Sequence, residues 1–329
     1  VALLSGGLDS MLAVRVVLEQ GIPITAIRFI TQFGCDPVTS GSCGRDVEPL
    51  VKLWGPLGLD IKMCHLGQDY VEMVRNPKYG RGRNMNPCVD CRVMMLSWAR
   101  DVMEKLEASF VITGEVLDQR PMSQTWPRFL EIERDVKLEG RILRPLSALR
   151  LPPTIPEREG IVDRSKLLGL WGRGRTRQYE LAKQYGIEEI PQPSGGCLLT
   201  DPGYSQRLRD LWKHDPAAGG RDINLLRVGR HFRPNPDCKI IVGRNAPENN
   251  MIEAFAERGD ALLRLRDFVG PVTLVRGWFG LEELNLAASL TARYGDLPGK
   301  KSGAMAEVLV DRKGGVPYTM TASAVSDDA

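Results

Sequence analysis

The first half of the chain alternates short apolar runs with longer stretches in which apolar residues repeat at helical spacing. The apolar runs predict buried strands at residues 1–4, 24–29, 60–64 and 110–113. The amphipathic stretches predict helices at residues 10–20, 47–57 and 89–106. This alternation predicts parallel βαβ units, and therefore an α/β fold with a doubly wound parallel sheet whose ligand site lies at the carboxyl ends of the strands. The first run begins at Val1 itself, so we expect preceding residues to complete its strand.

The second half of the chain has a different pattern, which predicts a smaller domain of α+β type. Residues 141–192 are irregular and rich in proline and glycine, apart from a predicted helix at 177–185. Further helices are predicted at 204–213 and 285–294, and strands at 238–242 and 272–275. Turn signals between these segments divide the chain into a first domain at 1–203, a linker at 204–222 and a second domain at 223–329.

Composition agrees with two folded domains and narrows the class of protein. The chain has 329 residues, of which 43% are hydrophobic and 26% charged, as in ordinary globular proteins. It has no apolar run long enough for a membrane span and no secretion signal, so we expect a cytoplasmic protein. The net charge of +3 is too small to indicate a nucleic-acid partner unless the basic residues cluster.

The strongest local motif is Ser5-Gly6-Gly7-Leu8-Asp9-Ser10, placed where the first predicted strand ends and the first helix begins. Glycines there adopt conformations closed to other residues, while backbone N–H groups and the helix dipole face an anion. The motif lacks the Gly-Lys-Ser/Thr of the Walker type. We expect Ser5, Gly6, Gly7 and Ser10 to hold phosphate, and Asp9 to position a metal or the nucleotide. The alternative is a structural turn with a Ser or Asp cap.

This motif resembles the pyrophosphate loop of the ATP pyrophosphatases (PP-loop, adenine nucleotide alpha hydrolase-like fold), which cleave ATP to AMP and pyrophosphate. A second segment starting at Thr113-Gly114-Glu115, together with Leu143-Arg144-Pro145-Leu146, resembles the catalytic domain of tRNA 4-thiouridine synthase. The resemblance covers about residues 1–200. It implies ATP and Mg²⁺ as cofactors. Four further candidate nucleotide contacts are Arg28, Phe29, Gly114 and Gln119.

The cysteines provide a second candidate site. Seven cysteines in a chain without an export signal argue against a disulfide framework, and the three scattered histidines argue against a His-based metal centre. The segment Asn86-Pro87-Cys88-Val89-Asp90-Cys91 places two thiols at the start of a predicted helix, where the dipole favours thiolate. Cys197 follows two glycines much later in the chain. The remaining cysteines are interpreted as packing or incidental, although Cys35 and Cys43 share a glycine-rich loop and can pair or assist: Cys35, Cys43, Cys64 and Cys238.

Two early cysteines and one distant cysteine resemble the iron–sulfur branch of the tRNA thiolases. The resemblance implies a 4Fe–4S cluster held by Cys88, Cys91 and Cys197, with one iron left without a protein ligand. It also implies catalytic roles for Cys197, Asp9 and Cys88. Three alternatives remain open: a two-cysteine persulfide–disulfide mechanism, a zinc site that lacks its fourth ligand, and buried inert cysteines.

Basic residues cluster in two places, which predicts an RNA partner. Residues 141–177 contain nine Arg or Lys against three acids, and residues 221–244 contain six against two. Trp171 adds a possible stacking surface. The segment from Gly243-Arg244-Asn245 to residue 290 resembles the RNA-binding domain of NFACT proteins, over about residues 223–329. The candidate RNA contacts are Arg173, Arg175, Arg230, Arg233 and Arg244. The alternative for each cluster alone is a solvated face.

Together these resemblances imply an ATP-dependent tRNA uridine thiolase, which adenylates a carbonyl oxygen and then transfers sulfur. The partners implied are tRNA and a sulfur donor, either sulfide or persulfide derived from a cysteine desulfurase, with a homodimer as a further expectation. Unlike 4-thiouridine synthase, the sequence shows no THUMP-type domain before the loop and no rhodanese domain after it. The alternatives are another adenylating enzyme, such as an amidotransferase or lysidine-type ligase with a zinc site, and an RNA-binding protein without catalysis.

Overall fold

A computed structural model describes residues 1–34, 54–187, 197–298 and 303–325. The chain divides into two compact units, Val1–Pro202 and Gly203–Ala329. Most of the helix expected at 47–57 lies outside the described residues, and its last residues form the short 3₁₀ turn Gly55–Leu57. No helix among the described residues is long and apolar enough to cross a membrane.

The first unit is built on a parallel sheet of five strands. The strands are β1 (Ala2–Leu3), β2 (Thr25–Ile30), β3 (Asp60–His65), β4 (Val111–Ile112) and β5 (Ile142–Leu143). Their order is β3-β2-β1-β4-β5, and each neighbouring pair is parallel. This confirms the predicted α/β fold with a parallel sheet.

Helices cover this sheet on both faces. They are α1 (Leu8–Leu18), α2 (Gln68–Arg75), α3 (Cys88–Lys105), α4 (Trp126–Asp135), α5 (Ile155–Arg158) and α6 (Thr176–Gln184). Alternate residues of β1 enter different hydrophobic clusters. Ala2 packs in the cluster that contains the apolar residues of α1, and Leu3 in the cluster that contains those of α3. Because successive strand residues point to opposite faces, the sheet is buried on both sides.

Among its described residues, the second unit contains an antiparallel sheet of six strands and four helices, the first of which begins at Pro202 on the boundary between the units. The strands are β6 (Arg230–Asn235), β7 (Cys238–Val242), β8 (Ala261–Leu265), β9 (Thr273–Gly277), β10 (Met305–Arg312) and β11 (Tyr318–Ser323), in the order β11-β10-β8-β9-β7-β6. The helices are α7 (Pro202–His214), α8 (Gly220–Leu225), α9 (Ala246–Phe255) and α10 (Leu281–Arg293). Ile240 packs in the cluster that includes α10, whereas Ile241 packs in the cluster that includes α8 and α9. The unit is α+β, as predicted.

Candidate active site at the switch point of the parallel sheet

The strand order places two sequence motifs side by side. From β1 the chain proceeds to β2 and β3 on one side, whereas β4 and β5 extend the sheet on the other side. The switch point therefore lies between β1 and β4, and ligands of doubly wound sheets bind in the crevice outside the strand ends at this position. Residues 5–10, named the phosphate loop below, follow β1, and Thr113-Gly114-Glu115 follows β4.

The phosphate loop is held by its own side chains. Gly6 has φ +81°, and a Cβ there would lie 3.0 Å from a terminal nitrogen of Arg28, so glycine is required. The Ser10 hydroxyl donates to the Gly7 carbonyl at 2.8 Å and lies 3.0 Å from the Ser5 hydroxyl. The loop leads directly into α1, whose first backbone N–H groups have no partner within the helix. This arrangement suits a bound phosphate group.

Asp9 lies in the first turn of α1 and has two partners on one carboxylate oxygen. Gln119 Nε2 donates to Asp9 Oδ2 at 3.2 Å, and a terminal nitrogen of Arg175 lies 3.6 Å from the same oxygen. Asp9 Oδ1 is buried and has no hydrogen-bond partner among the residues that the structure describes. Arg175, which the sequence assigned to RNA, therefore belongs to the surroundings of the phosphate loop.

Gly114 brings the second motif into contact with the first. A Cβ on Gly114 would lie only 2.5 Å from the Ser10 Cα and backbone nitrogen, much closer than real Cβ atoms approach. Glycine at this position therefore lets the segment after β4 pack directly on the start of α1. The same segment reaches Asp9 again through Gln119.

Glu115 connects this segment to the helix that carries two of the cysteines. Its carboxylate lies 3.1 Å from Arg92 Nε of α3 and 3.1 Å from Arg144 Nε, and Thr113 Oγ1 donates to it at 3.1 Å. Arg144 continues the network to Glu133 at 2.5 Å. Burial acts to raise the pKa of Glu115, but the charges of Arg92 and Arg144 and the hydrogen bonds outweigh it and lower that pKa. No sequence pattern singled out Arg92.

Three cysteines converge on the same end of the first unit; Cys88, Cys91 and Cys197 are named the thiol cluster below. Cys88 begins α3 and donates to Asn86 Oδ1 at 2.6 Å. Cys91, one turn later, lies 3.1 Å from the hydroxyl of Tyr70 on α2. Both Cys91 and Cys197 are near enough to Tyr70 for their charges to influence its pKa, which burial raises well above its usual value. Sequence reasoning missed Tyr70, because α2 was not predicted.

Hydrogen bonds attach the Cys197 segment to other parts of the unit. Cys197 Sγ donates to the Phe33 carbonyl at 3.4 Å. The 3₁₀ turn that follows, Leu198–Thr200, accepts from the loop before Cys88: Asn84 Nδ2 donates to the Thr200 carbonyl at 2.7 Å, and the Met85 N–H donates to the Leu199 carbonyl at 3.0 Å. These bonds explain how a cysteine so distant in sequence comes to lie beside α3.

Both cysteines of α3 are less acidic than their position at a helix N-terminus led us to expect. Burial raises the pKa of Cys88 and of Cys91, and this effect outweighs the charge of Arg92, which lowers both. The charge of Arg120 also lowers the pKa of Cys88. Burial of the two thiols therefore opposes the effect of the helix dipole, which favours thiolate. Within the described residues, no group of three or more His, Cys, Asp and Glu side chains is arranged to hold a single metal ion.

The other predicted residues have varied surroundings. Phe29 packs against the cluster that includes α3, whereas Arg28, its neighbour on β2, lies against the phosphate loop. Cys238 is buried in the second unit, and Cys64 is partly buried in β3. Cys35 and Cys43 lie outside the described residues.

The predicted RNA contacts also differ from one another. Arg173 is exposed, and the indole of Trp171 is 61% exposed and donates to Asp118 at 3.0 Å. In the second unit Arg230 lies 4.3 Å from the centre of the Tyr294 ring. Two further arginines are paired with carboxylates, namely Arg233 with Asp210 at 2.8 Å and Arg244 with Glu248 at 2.5 Å. An RNA phosphate that binds Arg233 or Arg244 must therefore share that arginine with its carboxylate partner or displace the carboxylate.

Two family models match the chain. Residues 1–155 match the thiamine biosynthesis protein (ThiI) family, and residues 229–329 match the NFACT protein RNA binding domain. The chain joins a ThiI-like segment to an NFACT-like segment. Both resemblances drawn from the motifs are thus confirmed.

Curated relatives match the first part of the chain. The chain is 27% identical over 229 residues to the tRNA-specific 2-thiouridylase MnmA of Nitratidesulfovibrio vulgaris, a match that covers 66% of this chain and 60% of the relative. It is 28% identical over 179 residues to the probable tRNA sulfurtransferase of Thermococcus kodakarensis, covering 51% of this chain and 40% of the relative. The chain therefore spans less than two thirds of the length of these relatives.

Solved structures give weaker matches. A 4-thiouridine synthetase in complex with RNA and ATP is 20% identical, with a TM-score of 0.42, covering 68% of this chain and 51% of that one. The C-terminal part of a fibronectin/fibrinogen-binding protein from Streptococcus suis is 14% identical, with a TM-score of 0.26, covering 46% of this chain and 73% of that one. The fold assignment rests on the strand order of each unit.

Proposed function

We propose that the chain is an ATP-dependent tRNA sulfurtransferase that thiolates a uridine. The observation that carries this proposal is the segment after β4, which connects the phosphate loop to the thiol cluster. Gly114 packs on Ser10, Gln119 bonds Asp9, and the charge of Arg120 acts on Cys88. One segment of the chain thus reaches both the candidate nucleotide site and a candidate catalytic thiol, which supports a reaction that couples ATP cleavage to sulfur transfer. The ThiI match and the tRNA-thiolating relatives support the same activity.

The reaction proceeds by activation and displacement. A uridine carbonyl oxygen attacks the α-phosphorus of ATP, and pyrophosphate leaves toward the phosphate loop. The resulting adenylate makes that oxygen part of a good leaving group, so a sulfur nucleophile can attack the carbon and release AMP. With hydrosulfide as the donor, the thiocarbonyl forms with loss of one proton and without any change in oxidation state. The other donor class is a persulfide.

Asp9 fits a magnesium ligand. Its Oδ1 is buried and lacks a hydrogen-bond partner within the described residues, although Gln119 and Arg175 occupy Oδ2. An oxygen of a carboxylate beside a phosphate site is the usual protein ligand of Mg²⁺, which otherwise keeps waters and binds substrate phosphates. Asp9 would hold the ion, which would supply positive charge against the charge that develops on pyrophosphate. Ser5, Gly6, Gly7 and Ser10 then surround the phosphates.

The thiol cluster fits an iron–sulfur group better than a single ion. Cys88 and Cys91 lie in the first turn of α3, and Cys91 and Cys197 both lie near Tyr70. Among the described residues no set of three His, Cys, Asp or Glu side chains is arranged to hold a single ion, whereas a cluster binds thiolates around a larger core. The cations Arg92 and Arg120 act on these thiols and offset the negative charge of such a group. Cys88, Cys91 and Cys197 hold it in our proposal. It would supply an iron site, free of protein ligands, that binds the sulfur to be transferred.

The test measures both halves of the reaction on the full chain. Anaerobic protein reconstituted with iron and sulfide is incubated with ATP, Mg²⁺, sulfide and bulk tRNA. Pyrophosphate release is followed by a coupled assay, and thiouridines are identified by mass spectrometry of digested tRNA. We expect both products in the wild type. Cys197→Ser abolishes thiouridine, whereas the matched control Cys238→Ser, a buried cysteine of the second unit, retains it.

Three outcomes decide against the proposal or part of it. Pyrophosphate release with ammonia incorporation, or with a product that contains no added sulfur, indicates an amidotransferase or lysidine-type ligase. The absence of pyrophosphate with any tRNA indicates an RNA-binding protein without catalysis. Full thiolation by protein that contains neither iron nor acid-labile sulfide overturns the cluster and leaves the persulfide–disulfide route.

A further inference from the structure

Tyr70 occupies a position between segments that carry two of the thiols. It belongs to α2 and is 3% exposed, and its hydroxyl lies 3.1 Å from Cys91 Sγ. Thr31, the residue that follows β2, is near enough to act on the pKa of the same hydroxyl. A buried phenol with partners on two other elements is fixed more firmly than one that serves only to fill space.

A chain of hydrogen bonds continues from Thr31 to Cys197. The Phe33 N–H donates to Thr31 Oγ1 at 3.3 Å, and the Phe33 carbonyl accepts from Cys197 Sγ at 3.4 Å and from the Leu198 N–H at 3.1 Å. The rings of Phe33 and Tyr70 also pack together, with centroids 6.0 Å apart. Cys91 and Cys197 are therefore attached to the same small unit, which Tyr70, Thr31 and Phe33 form.

Cys88 has different surroundings from these two cysteines. Its thiol donates to Asn86 Oδ1, two residues earlier, and the charge of Arg120 acts on it from the segment that also reaches Asp9. The hydroxyl of Tyr70 contacts the thiol of Cys91, whereas the thiol of Cys88 contacts Asn86. This difference allows the effect of Tyr70 to be separated from a general disturbance of α3.

We propose that Tyr70 is a positioning residue for sulfur transfer. Its hydroxyl is hydrogen-bonded to the Cys91 sulfur, and its ring packs on Phe33, whose carbonyl accepts from Cys197. Tyr70 thereby sets the distance between the two sulfurs. Sulfur chemistry at two side chains needs them held to within about half an ångström of the productive geometry, which flexible loops do not provide by themselves. The catalytic part of the proposal rests on the proposed function, whereas the placement of the two sulfurs does not.

The test compares how readily Cys91 and Cys197 are bridged in the full chain after removal of any bound metal. The probe is dibromobimane, which becomes fluorescent when it joins two neighbouring thiols, and peptide mapping identifies the pair that has reacted. In Tyr70→Phe, which keeps the ring and removes the hydroxyl, we expect bridging of Cys91 to Cys197 to slow roughly three- to tenfold. We expect the share of bridges between Cys88 and Cys91 to rise.

Two further variants keep the result interpretable. Thr31→Val removes the next hydroxyl at similar volume and shifts the bridging rate in the same direction by a smaller factor. Tyr204→Phe removes a buried hydroxyl that bonds the Ile223 carbonyl in the second unit, and leaves the rate unchanged. Equal bridging rates in Tyr70→Phe and the wild type, with both proteins folded by circular dichroism, overturn the proposal.

Activity adds an independent readout. In Tyr70→Phe we expect the kcat of tRNA thiolation to fall while KM for ATP stays within twofold, because the side-chain contacts of Tyr70 within the described residues are with Cys91 and Phe33 and not with the phosphate loop. An equal change in both constants overturns the positioning role. If the wild type itself makes no thiouridine, the proposed function fails, but the bridging experiment still decides whether Tyr70 places the two sulfurs.

Discussion

The phosphate loop and the thiol cluster both belong to the first unit, yet they are built in opposite ways. The loop consists of six consecutive residues whose hydroxyls and carbonyls bond one another within the strand-to-helix turn. The thiol cluster depends on contacts between residues far apart in sequence, such as Cys197 with Phe33 and Asn84 with Thr200. The conformation of the phosphate loop depends mainly on residues of its own turn. The thiol cluster depends on every segment that contributes a cysteine or a hydrogen bond to it.

This difference predicts how each site responds to substitution. In the loop, a change at the functional group itself has a large effect and distant changes have small ones. In the thiol cluster, loss of a hydrogen bond between remote segments alters the thiols directly. Gly114 contacts the phosphate loop, and Glu115 contacts the helix that carries Cys88 and Cys91. Substitutions there test whether a change at one site affects the other.

The largest effect is expected at the loop. Asp9→Asn keeps the size of the side chain and an acceptor for Gln119, but removes the charge that, in the proposed function, holds Mg²⁺ and positions the nucleotide. We expect tRNA-dependent pyrophosphate release to fall about 10²–10³-fold. Asp69→Asn, which changes an exposed aspartate in the first turn of α2, is the matched control and stays near wild type. A tenfold or smaller loss in Asp9→Asn contradicts the role of this carboxylate.

Glu115→Gln is expected to have the next largest effect, on stability. It leaves Arg92 and Arg144 beside a neutral amide, which costs about 3 kcal/mol in the free energy of unfolding at pH 7. Because the folded-state pKa of Glu115 is lowered, its ionised form stabilises the fold above the usual glutamate pKa, and this stabilisation is lost as the pH falls through the folded-state value. The difference between wild type and variant therefore shrinks toward low pH.

Urea unfolding of the wild type and of Glu115→Gln, measured from pH 7 down to pH 3, checks this pH dependence. Glu180→Gln, which removes an exposed pair with Arg177, serves as control and should cost less than about 1 kcal/mol at every pH. A wild-type-to-Glu115→Gln difference that stays constant with pH would show that charge is not the source of the effect.

Gly114→Ala tests the direct contact between the two motifs. The added Cβ meets the backbone of Ser10, which cannot move without shifting α1, so we expect a loss of about 1–3 kcal/mol in the free energy of unfolding. Affinity for ATP, measured by calorimetry, should fall as well. Gly55→Ala is the matched control, since a Cβ there meets nothing within 4 Å. Wild-type stability and ATP affinity in Gly114→Ala would contradict the close packing.

The smallest effect is expected from a remote hydrogen bond of the thiol cluster. Asn84 has φ 58°, so Asn84→Gly preserves the backbone while removing the bond to Thr200. We expect a loss of about 1 kcal/mol and faster alkylation of Cys197, with ATP affinity unchanged. Lys137→Gly, at φ 56°, controls for the added backbone freedom. A change in ATP affinity equal to the change in Cys197 alkylation would mean that the two sites are not built separately.

Prediction from the sequence succeeded where the determining contacts are local. The run before Ser5 and the glycines after it predicted a strand, a turn and a helix, and the structure has β1, the phosphate loop and α1 there. Prediction missed α2 because this helix has only eight residues and three buried side chains, which is too short for its period to stand out over the longer windows that reveal a helix. With α2 went Tyr70. Arg175 was assigned to RNA because its neighbours are basic, whereas its contact with Asp9 depends on the fold.

The amino-acid sequence by itself determined the parallel sheet and the strand, turn and helix of residues 1–18, since hydrophobic period and turn residues act over a few neighbours. Only the tertiary structure decided that Gly114 packs on Ser10, that Glu115 joins Arg92, and that Cys197 lies near Tyr70. Such contacts depend on strand order and on buried hydrogen bonds between remote segments. These contacts stabilise the fold only once the whole sheet has formed and has brought the remote segments together.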